Sequence, residues 1–314
     1  MRVLITGGTG FLGKHLQQFF NPLKDKYELY FVGRSFNGKN CQLEKQEDCA
    51  WLFDAINPDI VVHAAALCGG IGLNKKRPAD LMLLNMQMNC NVLEQCLKHK
   101  VELIYTLGSV CAYPVNCPVP FKEDDIWEGF PEATNSGYAV AKKSMMLLFQ
   151  SMKQQYGMKG AHLIPVNMYG PYDHFDLENS HVIPALIRKF VEATENNLPQ
   201  VFCWGTGNAT REFFYAGDCA EAIVQAVGQR LDTYLPINLG TGTDISIRDL
   251  SFLIAELTGF RGEIVFTGEV SDGQPKRRLD VSRAKELLSF SARTKLIEGL
   301  KKTINWYKGN KPTT

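Results

Sequence analysis

Val3-Leu4-Ile5-Thr6-Gly7-Gly8-Thr9-Gly10-Phe11-Leu12-Gly13 decides the fold. A short apolar run breaks into glycine, and Leu16, Phe19 and Phe20 follow at helical spacing, so the order is strand, tight turn, helix. Glycines 8, 10 and 13 satisfy G-x-G-x-x-G in the setting the motif requires. One makes the turn, one lets backbone approach a pyrophosphate, and one lets the helix pack on the sheet. The helix N-terminus then presents its unpaired N–H groups to phosphates. The stretch predicts a dinucleotide-binding βα unit.

Working outward, Glu28–Val32 reads as a second strand, followed by Gly33-Arg34-Ser35. An NAD-specific site would place an acid there for the ribose 2′-hydroxyl, whereas arginine suits a 2′-phosphate, so the expected cofactor is NADP(H). Ile60 to Ala66 predicts a third buried strand whose closing alanines let a flat ligand lie against backbone; His63 on it reads as a packed residue. Residues 78–99 predict a long helix opened by Pro78. Leu103–Leu107 predicts strand four, delivering Gly108-Ser109-Val110-Cys111 at its carboxyl end, where open α/β sheets bind ligands. With a further strand at 162–166, the alternation predicts an α/β fold, a doubly wound parallel sheet.

After residue 170 the pattern changes. A polar aromatic loop (171–180) leads to a helix stripe at Val182, Ile183, Leu186, Ile187 and Phe190. Short strands are expected at 201–204, 236–239 and 264–266, and amphipathic helices at 220–229, 250–257 and 296–307. This predicts a smaller mixed α/β C-terminal lobe for substrate. The expected domains are 1–170, with a return segment near 212–240, for the cofactor, and 171–211 with 241–314 for the substrate.

At 314 residues the chain is long for a single core, which agrees with two lobes. Its 34 basic and 33 acidic side chains give no field that would draw nucleic acid or a membrane surface. The nine cysteines are scattered and never spaced Cys-x-x-Cys, which argues against a disulfide framework and against a metal site. They read as reduced thiols in a cytosol-like compartment. No apolar run approaches ~18 residues and no cleavable leader is evident, so the expectation is a soluble, cytoplasmic protein.

The chemistry is carried by Gly137-Tyr138-Ala139-Val140-Ala141-Lys142. Residues four apart on a helix share a face, about 5–6 Å between Cβ atoms. An ammonium there would lower the phenol's pKa from its ordinary value of about 10 and make Tyr138 a usable acid.

With Thr6-Gly7-x-x-Gly10-x-x-Gly13, a serine after strand four and Tyr138-x-x-x-Lys142 in that order, the chain resembles the extended short-chain dehydrogenase/reductase family. Further likeness lies in Gly69-Gly70-Ile71-Gly72, Pro78-Ala79-Asp80, Asn167-Met168-Tyr169-Gly170-Pro171, Asn179-Ser180-His181-Val182-Ile183-Pro184, Trp204-Gly205-x-Gly207, Arg211-Glu212-Phe213, Asp272-Gly273-x-Pro275 and Leu279-Asp280-Val281. These segments are similar to those of family members that epimerise and reduce a GDP-4-keto-6-deoxy sugar. The resemblance implies NADPH-dependent 3,5-epimerisation and 4-reduction of GDP-4-keto-6-deoxy-D-mannose.

As implied by the resemblance, the catalytic residues are Ser109, Cys111, Tyr138, Lys142 and His181. Cys111 would be the base that removes a proton beside the ketone and His181 the acid that returns one. Both side chains titrate within reach of neutrality. Ser109 and Tyr138 would hold the carbonyl oxygen, and Lys142 the nicotinamide ribose. Cofactor contacts are implied at Gly7, Thr9, Gly10, Phe11, Leu12, Gly13, Arg34, Ala64, Ala65, Ala66, Leu107, Tyr138, Lys142, Pro165, Asn167, Met168 and His181. Substrate contacts are implied at Ser109, Asn167, Val182, Lys189, Trp204, Arg211 and Arg277. Residue 9 is threonine where some relatives carry a base for the 2′-phosphate, which leaves more to Arg34. A homodimer through the long helices is implied as well. Two other readings stay open: a sister enzyme acting on another GDP-4-keto sugar (a colitose precursor or a 6-deoxy-heptose), and a non-catalytic dinucleotide sensor.

Overall fold

The computed structural model describes residues 1–177, 179–268 and 274–311. Asp272 and Gly273 of the sequence reading lie outside the described residues. Strands β1 (Arg2–Thr6), β2 (Glu28–Val32), β3 (Ile60–His63), β4 (Leu103–Leu107), β5 (Gly160–Pro165) and β6 (Ile237–Leu239) form one sheet in the order β6-β5-β4-β3-β1-β2. Every neighbouring pair is parallel. The chain leaves β1 for β2 on one side and returns to β3 on the other. That reversal opens a crevice at the carboxyl ends of β1 and β3, where such sheets take ligands.

Both faces of the sheet are covered, which is why its strands are apolar at nearly every position. Val3, Ile5, Ile60, Val62 and Tyr105 point to one face, with Leu16 and Phe20 of α1 (Phe11–Phe20) and Ile223 of a later helix. Leu4, Val61 and Ile104 point to the other. There they meet Leu52 and Phe53 of α2 (Gln46–Ile56), Val92 of α3 (Pro78–Lys98), and Met145 and Phe149 of α4 (Ser136–Tyr156). The sequence reading leaves α2 out, although its buried Cys49, Leu52, Phe53 and Ile56 recur at helical spacing.

The third strand ends at His63 and does not run on to Ala66. Beyond it, the Ala65 N–H donates to Thr6 Oγ1 (3.2 Å) and the Leu67 N–H to Asn85 Oδ1 (3.0 Å), so side chains replace the ladder. His63 is packed, as expected: its ring nitrogens meet Thr6 Oγ1 (2.8 Å) and Asn89 Oδ1 (3.1 Å). Burial pushes it down to about 4.

The second region is assembled from short pieces. Helices α5 (Val182–Glu195), α7 (Ile247–Thr258) and α8 (Leu296–Gly309) pack around Ile187, Phe190, Ile254, Leu300 and Tyr307. Between α5 and α7 comes α6 (Ala216–Gly228), which belongs to the sheet's cover. Strand 200–203 pairs with 263–266, strand 213–215 with 167–169, and strand 210–211 lies between 245–246 and 276–277. Residues 279–290 pack on the sheet through Leu279, Ala284, Leu288 and Phe290, although they follow the lobe's last strand.

Fully buried Glu212 joins these pieces. Its carboxylate accepts from the N–H groups of Thr241, Gly242 (2.8 Å) and Leu279 (2.7 Å), and from the Thr241 hydroxyl. Among the described residues no helix is long and apolar enough to cross a membrane, and all nine cysteines are free.

Candidate active site

The glycine turn closes the crevice from below. Gly7 has φ +69°, and a Cβ on it would stand 2.8 Å from Ala65 N, so the turn abuts the backbone of Ala64 and Ala65 after β3. A Cβ on Gly13 would collide with the Gly7 carbonyl oxygen, which is how α1 comes close enough to aim its N-terminus into the crevice. Gly10 caps α1 with no side-chain hydrogen bond, and the first turn carries no acid. Phe11 and Leu12 are its first residues. Thr9 fills the space beside Gly33, at the corner where exposed Arg34 leaves β2. The glycine turn, Ala64, Ala65 and Arg34 therefore lie together at the carboxyl ends of β1, β2 and β3.

At the carboxyl end of β4, Ser109 caps the short turn Val110–Ala112, and its Oγ accepts from the Cys111 N–H at 3.2 Å. The turn brings residues 109 and 111 to the same end of β4. From α4, buried Lys142 donates Nζ to the Leu107 carbonyl (2.9 Å) and lies 5.8 Å from the centre of the Tyr138 ring. The Ser109 hydroxyl lies near enough to the Tyr138 phenol to lower it.

The electrostatics differ from the sequence expectation. The phenol of Tyr138 is pushed well above its ordinary range, first by burial and then by the neighbouring Cys68 and Cys111; the Ser109 hydrogen bond is what lowers it. Lys142 faces the ring and its ammonium is committed to a carbonyl, while burial brings the lysine itself down to about 8. A raised phenol keeps its proton at neutrality. Tyr138 is thus set as a donor to an oxygen on which charge is growing.

Two groups at this site escaped the sequence reading. Cys68, on the loop after β3, is electrostatically coupled to Lys142, Asp173 and Cys111. Asp173 is buried, has an Oδ2 without a hydrogen-bond partner, and is raised to about 7 by burial. Gly69-Gly70 beside Cys68 was legible, but the thiol carries no motif of its own. Cys68 and His181 both carry exposed surface, and burial raises the thiol and lowers the imidazole.

His181 caps α5, its imidazole lowered by burial and by nearby His174. The segment before it is strapped to the Cys68 loop: the Gly70 N–H donates to the Asn179 carbonyl (2.7 Å), and a Cβ on Gly70 would collide with the Ser180 carbonyl oxygen. Val182 follows as the first residue of α5. Pro165 ends β5, and half-buried Asn167 and Met168 form the next strand, with Asn167 Nδ2 donating to the Glu212 carbonyl (3.0 Å). Farther along α5, Lys189 donates to the Phe202 carbonyl (2.8 Å) and lies 5.1 Å from the ring centre of half-exposed Trp204.

Arg211 and Arg277 are register partners on adjacent parallel strands. Arg211 Nη1 reaches the Thr210 carbonyl (2.8 Å), while Arg277 Nη1 turns to Cys111 Sγ (3.8 Å). Ser109, Cys111, Tyr138, Lys142 and Arg277 are directly assembled. Lys189 and Trp204 form a second group on the lobe.

A dinucleotide crevice beside a Ser-Tyr-Lys cluster defines an oxidoreductase or epimerase of the extended short-chain type. The chain belongs to the NAD dependent epimerase/dehydratase family, whose pattern matches residues 3–240. It is 35% identical to the GDP-L-fucose synthase of Escherichia coli, covering 98% of this chain and 97% of the relative. It is 33% identical to the GDP-L-colitose synthase of Yersinia pseudotuberculosis, covering 99% of both. The crystal structure of a GDP-L-fucose synthetase from Naegleria fowleri bound to NADP superposes with a TM-score of 0.88 at 26% identity, covering 98% of this chain and 94% of that one.

Proposed function

We propose that the chain is an NADPH-dependent enzyme that epimerises GDP-4-keto-6-deoxy-D-mannose at C3 and C5 and reduces C4, giving GDP-L-fucose. The observation that carries this is the Ser109–Cys111 turn facing Tyr138: a reductase needs the hydroxyl pair, but only an epimerase has use for a thiol fixed beside it. The cofactor fits the chain, because the N-terminus of α1 has no side-chain cap and the glycine turn has no room for side chains. Arg34 and Thr9 would meet the 2′-phosphate, and Lys142 the ribose.

A 4-ketone acidifies the hydrogens on C3 and C5. Cys111, as thiolate, takes one of these protons: the C–H bond breaks, S–H forms, and the electron pair passes to the C4 oxygen as an enolate. Ser109 and Tyr138 stabilise that oxygen by hydrogen bonds that strengthen as it gains charge. His181 returns a proton to the opposite face of the carbon. NADPH, when bound, would supply the hydride that C4 receives. Tyr138 gives its proton to the oxygen, and the charged Lys142 stands beside the phenolate left behind.

Arg211, Lys189 and Trp204 would hold the GDP moiety, two cations for the diphosphate and an aromatic face for the base. We assign residues 1–170 with 212–240 to the cofactor unit and 171–211 with 241–314 to the substrate lobe, residues 279–290 bridging the two. Exposed Met82 and Leu83 on α3 and Leu147 and Tyr156 on α4 support a homodimer through these helices.

The test is incubation with GDP-4-keto-6-deoxy-D-mannose and NADPH in deuterated water. The expected product is GDP-L-fucose carrying deuterium at C3 and C5. Cys111→Ser should suppress that incorporation more than it suppresses NADPH oxidation, and unchanged incorporation would remove Cys111 from the reaction. The full-length similarity to the colitose enzyme supports a second reading, which turnover of a 3-deoxy-4-keto substrate in preference to the 3-hydroxy one would favour.

A further inference from the structure

Arg277 reads from sequence as a diphosphate ligand, yet its guanidinium is turned toward the chemistry. The residue is buried. Its Nε donates to Gln274 Oε1 at 2.9 Å, and Gln274 in turn donates Nε2 to the carbonyls of Val115 (2.8 Å) and Pro114 (3.4 Å), just beyond the Ser109–Cys111 turn. The arginine is therefore anchored to the same loop that presents the thiol. Its Nη1 lies 3.8 Å from Cys111 Sγ. Strand 276–277, pairing with 210–211, delivers it from the substrate lobe onto the sheet's catalytic turn.

We propose that Arg277 is a positioning and charge-stabilising partner of Cys111, holding the sulfur in place and compensating its negative charge before it takes the substrate proton. The inference deepens the epimerase reading and rests on it for the step in which the thiolate acts. A guanidinium stays charged throughout the working pH range, so it can favour the thiolate without giving up a proton. Neither neighbouring titratable group offers such a fixed charge: Tyr138 from α4 is pushed up by burial and stays protonated, and Cys68 from the loop after β3 is pushed up by burial. Lys142 lowers and Asp173 raises the Cys68 thiol.

The test needs no substrate, so its failure is distinct from failure of the proposed reaction. Iodoacetamide alkylation of Cys111, located by peptide mass so that it is separated from Cys68, is followed against pH in the wild type and in Arg277→Gln. Thiolate sulfur displaces iodide, so the rate follows the fraction of thiol ionised. Loss of a positive charge at this distance should move the midpoint up by about one pH unit and slow alkylation at pH 7 about tenfold. Arg277→Lys, which keeps the charge, should recover most of the shift. Buried Cys96 and Cys219 should remain unmodified, reporting an intact fold. If Arg277→Gln exposes them, Gln274→Met decides: it keeps the guanidinium but removes its anchor, and should shift the midpoint in the same direction by less. Coincident midpoints in the intact variant, with GDP affinity falling about tenfold instead, would return Arg277 to the diphosphate and overturn the proposal.

Discussion

The sheet half and the lobe half of this molecule are built on different principles. In the first, six parallel strands repeat one βα motif, and four groups of the proposed site are placed by the elements that carry them: Ser109 and Cys111 by the turn after β4, Tyr138 and Lys142 by one face of α4. In the second, strands of two to four residues pair across large sequence separations, and a buried carboxylate ties their ends together. The difference teaches that the geometry of the proposed cofactor and proton-donor groups is locally encoded, whereas the proposed grip on the nucleotide sugar depends on long-range contacts. Perturbations of the two halves should separate accordingly.

The largest effect belongs to the locally encoded side. Tyr138→Phe removes the only proton that the proposed mechanism gives to the C4 oxygen, and turnover should fall about 10²–10⁴-fold. Fluorescence titration of NADPH should remain within about threefold of wild type, because the phenol is one contact among many. A large loss of NADPH affinity instead would mean that the sheet half is not organised residue by residue.

Next comes the lobe's hub. Glu212→Gln keeps the shape but turns an amide donor toward backbone N–H groups, costing about 2–3 kcal/mol of stability. The strands bearing Arg211 and Arg277 should loosen, raising the KM for the nucleotide sugar about tenfold or more while NADPH affinity holds. Thermal unfolding and the two titrations together check this; equal damage to both ligands would erase the distinction between the halves. The smallest effect is expected at the sheet's corner. Arg34→Ala should raise the KM for NADPH about tenfold, one charge-assisted contact, and leave that for NADH nearly unchanged. Equal changes would show that the arginine does not read the 2′-phosphate.

What could be read from the residues follows the same division. Strands Glu28–Val32 and Leu103–Leu107 fall where the apolar runs place them, and helix Pro78–Lys98 starts at the proline that marks it. Where side chains take over backbone hydrogen bonds the reading fails, as at Ala65 and Leu67, which leave the third strand for Thr6 and Asn85. The tyrosine–lysine spacing correctly places both on one face of α4. It gives the wrong electrostatics, because burial outweighs a neighbouring cation whose ammonium is already bonded to Leu107. Cys68 and Asp173 carried no signal, being single residues that acquire meaning only through neighbours.

The sequence alone determined the order of the sheet's strands, the glycine turn, the hydroxyl and thiol after the fourth strand, and the phenol and ammonium four residues apart on one helix. These are short-range properties, set by periodicity and by the backbone freedom of glycine. Tertiary structure alone decided that Arg277 faces a thiol 166 residues away, that the Glu212 carboxylate binds two separate segments, and that the phenol is pushed up and not down. Each of these depends on packing and on exclusion of water by distant parts of the chain, which no local pattern contains.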